Sequence, residues 1–521
     1  MPAHCARRRF LLGLGAFAAI RTAASAEQAA PSPFFDIRRF GALGDGAHPD
    51  TRSIQSAIDA CAKSGGTVLV PSGTWLSGTL VLKSNITLQL EAGAILRASR
   101  DLQDYPPHVP ALRSYTDTYT DKSLIYAEDA ENIAICGRGT LDGQGAAFSG
   151  PYKVRPYMLR FVACRNVSVE GVTLRDSPMW VQHYLACEHV RIHGITVHSR
   201  VNQNNDGIDI DACSGVTISD CDIWCGDDAI VLKATLDRPC RDVVVTNCVL
   251  STLCNALKLG TESNGGFRNI AISNCTVYDT RLAGIAVEMV DGGLLDRVTI
   301  SNIVMNNVGA PIFIRLGDRA RPFIEGGSRP PAGALRNVSI SHVQADGAGA
   351  TGCAIAGLPG HAIENVTLDD IRLVFAGGGK PGAAPVPERP EAYPEYSMFG
   401  PLPAYGFYCR HVRNLRLRDV RTTVTQSDER PALACDDVET ADLAGCDFAA
   451  GSRTASAIRL ANARDVLANG CRAAGSGAAW MTVEGARTRN IHLLANDLSA
   501  ARQAVSLASD VPRGAVVNET R

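Results

Sequence analysis

At 521 residues, 45% of them apolar and 20% charged, the chain is long enough to bury a large core and too apolar to be disordered. Its 51 basic residues balance 53 acidic ones for a net charge of −2, which gives nucleic acid no electrostatic reason to bind. Forty-nine glycines spread among Val, Ile and Asn point to a turn-rich β protein and away from coiled coils, helical solenoids and membrane channels.

Residues 1–26 read as an export signal. Arg7-Arg8-Arg9 precede an apolar run from Phe10 to Ile20, and Ala24-Ser25-Ala26 is a small-x-small cleavage site. Such a run is too short to cross a hydrocarbon core of about 30 Å. The arginines before Phe10-Leu11 resemble a twin-arginine signal, which sends folded proteins to the bacterial periplasm or beyond. Cleavage removes Arg7, Arg8, Arg9 and Arg21 and no acid, so the expected mature chain sits near −6. Residues 27–521 are expected to form one domain, monomeric and free of the membrane.

A helix is expected from Thr51 to Ser64, where Ile54, Ala57, Ile58 and Cys61 share one apolar face and Gly65-Gly66 end it. Beyond it one pattern recurs: a polar residue, often Asn, then alternating apolar positions, then a turn. Asn132-Ile133-Ala134-Ile135, Asn166-Val167-Ser168-Val169 and Asn269-Ile270-Ala271-Ile272 are examples. The leading residue falls at 132, 166, 189, 215, 242, 269, 297, 337, 365, 414, 440, 465 and 490. Most gaps are 23 to 28 residues, and the longer ones place insertions near 140–160, 310–335 and 375–405. Period-2 alternation within each copy means strands, so each copy is one coil of a right-handed, single-stranded parallel β-helix with an N-terminal capping helix. No Leu-x-x-Leu-x-Leu core supports a leucine-rich solenoid.

Seventeen cysteines in an exported chain would ordinarily suggest disulfides. Cys221, Cys248 and Cys275 instead repeat every 27 residues, at one offset from their markers, as do Cys446 and Cys471. Equal offsets stack above one another, so free thiols filling one interior column are expected, and a hydroxyl put there should lack a partner.

Three segments on successive coils carry more acid than strands need: Asn204-Asn205-Asp206-Gly207-Ile208-Asp209, Gly226-Asp227-Asp228-Ala229-Ile230 and Asn255-Ala256-Leu257-Lys258 through Glu262. Asp228 and Asn255 share an offset and should stack. Crowded carboxylates shift one another's pKa, which suits an acid and a base working across a glycosidic bond. Calcium binding or turn capping would explain any one of these acids alone, but not all of them together.

Asn205-Asp206-Gly207-Ile208-Asp209 resembles the Asn-Thr-Asp-Gly motif of glycoside hydrolase family 28, the polygalacturonase family, and Gly226-Asp227-Asp228 resembles its Asp-Asp motif. Asp176-Ser177-Pro178 with Trp180 and His183 is similar to its Ser-Pro-x-Trp-x-x-His segment, and Phe40-Gly41-Ala42 through Gly46 to its usual start. The resemblance runs from about Phe35 to Gly400. It implies Asp227 as general acid, with Asp206 and Asp228 activating water in an inverting hydrolysis of pectin or a related polysaccharide, and it implies no cofactor or metal. Substrate contacts are expected from Asn255, Lys258, Glu262, Arg281, Glu288 and His183, the last having the alternative of a buried turn-holder. Two departures stand out: the family's Gly-His-Gly aligns with Cys254-Asn255-Ala256, and its carboxylate-gripping Arg-x-Lys with Ala286-Val287-Glu288. An acid in place of the clamp favours a neutral leaving sugar, as in rhamnogalacturonan, and Lys233, Lys258 and Arg281 are nearby cations, with solvated surface as their alternative reading. A pectate lyase would share the β-helix but needs calcium and an Arg or Lys base. A non-catalytic carbohydrate-binding β-helix would need no clustered acids.

Overall fold

The computed structural model describes residues 34–380, 385–451, 453–475 and 477–520; the expected export signal lies outside them. Among those residues 38 strands form a right-handed parallel β-helix, each strand pairing with its counterpart one coil on. Val167 pairs with Val190, Val190 with Val216, Val216 with Val243 and Val243 with Ile270. These offsets equal the marker spacing from 166 to 269, so the period in the sequence is the coil length.

All thirteen marker residues, Asn132 through Asn490, adopt left-handed backbone with φ between 53 and 67°. The chain turns a corner there, and Asn tolerates that corner better than other side chains with a Cβ. Its amide also reaches the neighbouring coil: Asn166 Nδ2 donates to Asn132 Oδ1 at 2.8 Å, Asn365 to Asn337 at 2.8 Å and Asn414 to Asn365 at 2.6 Å. The frequent Asn is thus a consequence of the corner.

The capping helix, α1 (Thr51–Cys61), ends three residues earlier than expected and buries Ile54, Ala57, Ile58 and Cys61. The Asp50 carboxylate before it accepts from the Leu43 and Gly44 amides at 2.7 and 3.2 Å, tying the Gly-rich start to the cap. Strand-free stretches at 143–156, 317–333 and, among the described residues, 378–406 correspond to the expected insertions. A fourth, 99–122, was not expected: it precedes the first marker, so no gap in the series reveals it.

Cys221, Cys248 and Cys275 are buried, and all sixteen described cysteines are free thiols. One expectation is corrected. Each of these three thiols donates to the carbonyl two residues earlier, at 3.2, 3.3 and 3.2 Å, so a hydroxyl there keeps a partner. Cys248→Ser should accordingly cost only about 1 kcal/mol in a urea melt, the range of one modest hydrogen-bond change. Asn365→Ala should lose about 1–2 kcal/mol from the left-handed corner and Asn365→Gly much less; equal losses for the two would mean the backbone conformation is not the cause.

Candidate active site

Five strands carry the acidic segments and their neighbours: β1 (Gln182–Leu185), β2 (Ile208–Asp211), β3 (Ile230–Ala234), β4 (Leu257–Ser263) and β5 (Phe267–Met289). Ile208, Ile230, Leu257 and Ile285 pair in succession, and two residues before each lie Asp206, Asp228, Asn255 and Ala283. Amide to carbonyl bonds of 2.9 to 3.0 Å, Gly207 to Asp228, Ala229 to Asn255 and Ala256 to Ala283, lock those four positions into one column. Gly207 is required by that approach, because a Cβ would lie 2.5 Å from the Ala229 carbonyl oxygen. Asp227 sits one residue outside the column, half-buried, with its Oδ2 3.4 Å from Asn204 Nδ2.

Carboxylates one coil apart, about 4.8 Å, repel by roughly 3–4 kcal/mol at an effective dielectric of about 20. Two buried lysines offset this. Lys258 Nζ lies 2.9 Å from Asp228 Oδ2 and 3.6 Å from Glu288 Oε2. Lys233 Nζ lies 3.5 Å from Asp209 and 3.3 Å from Glu262, and 4.6 Å above the Trp180 ring. Neither lysine is solvated surface, which rules out the alternative the sequence left open. Both are at most 5% exposed.

The acids separate electrostatically. Burial alone would raise Asp228, but Lys258 and Lys233, with hydrogen bonds from Lys258 and Asn255, hold it below the ordinary carboxylate value. Burial and the Asp228 charge push Asp227 up. Burial, then the charges of Asp227 and Asp209, push Asp206 well above its ordinary value, and its Oδ1 has no hydrogen-bond partner. The arrangement thus sets a carboxyl whose ionised form is favoured beside one whose protonated form is favoured.

Several expected substrate contacts are instead supports. His183 is fully buried, stacked on Tyr157 at 5.5 Å, with Nε2 3.3 Å from Asp211 Oδ2; burial lowers its pKa and keeps it neutral. Asn255 donates Nδ2 to Asp228 at 2.9 Å and accepts from the Ala283 amide at 3.0 Å, so its amide orients Asp228. Glu262 bridges Lys233 and Arg321, with Oε1 2.7 Å from Arg321. Glu288 is fully buried and faces no leaving sugar; it pairs with Lys258, and burial lifts it to about 8. The register places Lys258 beside Ala286, so the cation absent from β5 stands on β4. Gly260, at φ 104°, allows this, since a Cβ there would meet the Glu288 carbonyl oxygen at 2.3 Å. Arg281 alone keeps a position compatible with substrate, donating Nε to the Leu253 carbonyl at 2.6 Å.

Sequence reasoning missed Tyr393 and Glu395. The Tyr393 hydroxyl is 3.5 Å from Lys258 Nζ. Glu395 is half-buried with Oε2 unpartnered, and burial lifts its carboxyl to about 7. Both lie in a Pro-, Gly- and Ala-rich insertion with no periodicity to mark them. Among the described residues, Asp227, Asp228 and Cys254 bring potential metal-ligand atoms within 4.8 Å of one another. Burial holds the Cys254 thiol protonated, and Lys258 already places a cation against Asp228, so the trio is a poor metal site.

Residues 61–385, more than half of the chain, match the sequence model of glycosyl hydrolases family 28. The chain belongs to glycosyl hydrolase family 28. It is 30% identical over 298 residues to a probable polygalacturonase of Vitis vinifera, a match covering 52% of this chain and 60% of that protein. An endo-polygalacturonase of Pectobacterium carotovorum is 26% identical over 51% of this chain and 71% of its own length. The solved structure of a hyperthermoactive exopolygalacturonase from Thermotoga maritima superposes with a TM-score of 0.56 at 26% identity, covering 66% of this chain and 87% of that one. The family match is narrower than the Phe35–Gly400 expected from motifs, and it ends before Tyr393 and Glu395. In this family 28 chain, Tyr393 and Glu395 thus lie outside the matched residues.

Lys258→Met removes the main cation opposing burial at Asp228. Its carboxyl then rises, and a rate that needs ionised Asp228 should be lost at a higher pH than in the native protein. The acid limb of the pH–rate profile moves upward; an unmoved limb would show that Lys258 does not govern this carboxyl.

Proposed function

We propose that this chain is an exported hydrolase of α-glycosidic bonds in galacturonate-containing pectic polysaccharide, acting with inversion. The observation that carries this reading is the split between adjacent carboxyls, with Asp228 held low by Lys258 and Asp227 held high by burial. Asp227 donates its proton to the leaving glycosidic oxygen as the bond from the anomeric carbon breaks. Asp228 takes a proton from the water whose oxygen bonds to that carbon from the opposite face. Asp206, whose burial favours its protonated form, positions the water by hydrogen bonding, a narrower role than the shared base first expected. Lys233 and Lys258 are both committed to ion pairs, which disfavours the free lysine base of a lyase.

The neutral-leaving-sugar preference rested on Glu288 facing the substrate, and its burial removes that ground. Cations without carboxylate partners lie elsewhere: Arg155, Arg200 and Arg281 line a cleft of about 670 Å³ beside Gly226, the residue before Asp227. Their hydrogen bonds go to carbonyl, amide and hydroxyl oxygens, leaving their charge for a uronate carboxylate. Export is supported by the 1–26 pattern and by free thiols suited to folding before translocation, and a periplasmic product beginning at residue 27 would establish it.

The deciding experiment is product analysis on homogalacturonan, rhamnogalacturonan and neutral glycans, with the product's anomeric configuration read by NMR. Homogalacturonan should be cleaved at least as fast as rhamnogalacturonan; the reverse order restores the neutral-leaving-sugar reading. Asp227→Asn should reduce turnover by roughly 10²–10⁴-fold, the usual contribution of a general acid. Retained anomeric configuration would overturn the roles given to Asp206 and Asp228.

A further inference from the structure

The outer face of the strands bearing the site is covered on both sides along the helix axis. On the N-terminal side, Tyr157, Met179 and Trp180 form an apolar cluster with Tyr119 and Tyr152, which come from the insertions at 99–122 and 143–156. Tyr119 stacks on Tyr152 at 4.7 Å and meets the Trp180 edge at 5.3 Å. On the C-terminal side, Met398, Phe399, Leu402 and Ala404 of the 378–406 insertion pack on Ala286 and Phe313. Between these covers only β2, β3 and β4 remain, about 14 Å at the spacing of parallel strands.

A third side is closed as well. The Arg321 guanidinium, from the 317–333 insertion, lies 3.6 Å over the Tyr115 ring of the 99–122 insertion and bonds Glu262 at 2.7 Å. Four separate insertions thus meet around one stretch of three strands. The side left is the cleft of Arg155, Arg200 and Arg281. Arg200 is fixed there by stacking at 3.9 Å on Trp224 and by bonds to the Cys225 carbonyl and Ser251 hydroxyl at 2.9 and 2.8 Å. A guanidinium held this rigidly, with no carboxylate in ion-pair range among the described residues, is preorganised for an incoming anion.

We infer that the acids stand in a blind pocket with a single arginine-lined mouth, so that this chain removes short products from the end of a uronate-containing chain and does not cut interior bonds. The pocket admits a chain end; the rest of the chain stays outside with its carboxylates on the mouth. A polymer threaded through its middle would need a second opening, and the tyrosine cluster, the Arg321–Tyr115 contact and the 378–406 insertion occupy the three places for one. This inference rests on the proposed pectic hydrolase reading and adds the mode of attack to it.

The test follows wild-type enzyme on unbranched polygalacturonate by viscosity and by anion-exchange chromatography of the products. Mono- or disaccharide should be the product from the earliest time points, while viscosity falls slowly relative to new reducing ends. A rapid fall in viscosity with mid-length fragments would overturn the blind pocket and leave the hydrolase reading intact. No new reducing ends from any pectic substrate would sink both. Arg281→Gln adds a second readout: KM for a galacturonate oligosaccharide should rise about tenfold, since one charged contact is lost, with kcat changed less than about twofold. An unchanged KM would show that the chain does not leave through this mouth.

Discussion

Everything in this molecule depends on in-register stacking of coils at about 4.8 Å. Each coil must turn a corner at the same place for its strands to pair with those of its neighbours, and the left-handed marker residues make that corner. Because the corner repeats, equal sequence offsets become vertical columns of side chains. The column of Asp206, Asp228, Asn255 and Ala283 and the column of thiols at 221, 248 and 275 are two results of the same geometry. One fills an interior position with small apolar groups. The other concentrates charge at the junction of turn and strand.

Concentrated charge is expensive to bury, and the site is arranged around that cost. Removing a carboxylate from water is compensated only by close opposite charge and complete hydrogen bonding. Lys258 and Lys233 supply the charge, and Asn255 supplies one of the hydrogen bonds. Compensation is uneven: Asp228 receives most of it, whereas Asp206 and Asp209 keep carboxylate oxygens without hydrogen-bond partners. That unevenness separates the proton affinities of neighbouring acids. Glu288 illustrates the same balance in reverse. An acid placed where the family's clamp motif aligns did not become a substrate contact, because the fold buries it against Lys258 of the adjacent strand.

The repeating coil gives a long, uniform face, and the insertions make part of that face a site. Tyrosines from 99–122 and 143–156, Arg321 from 317–333 and the packed segment from 378–406 converge on it. None obeys the coil period, so each is free to vary in length without disturbing the stack beneath.

From the sequence alone, the coil length, the strand register, the capping helix, the thiol column and the acids at 206, 227 and 228 were legible. All of these follow from local periodicity: an offset read along the chain is a height along the axis. Tertiary structure alone decided which charges meet. Lys258, Glu288 and His183 looked like candidate substrate contacts because their residue types and positions say nothing about burial depth, which depends on what covers the sheet. Tyr393 and Glu395 could not be placed at all, since a segment without periodicity has no register from which to compute its neighbours. The Phe399 and Leu402 contacts that set it over β5 join positions more than 100 residues apart, and only the packed molecule brings them together.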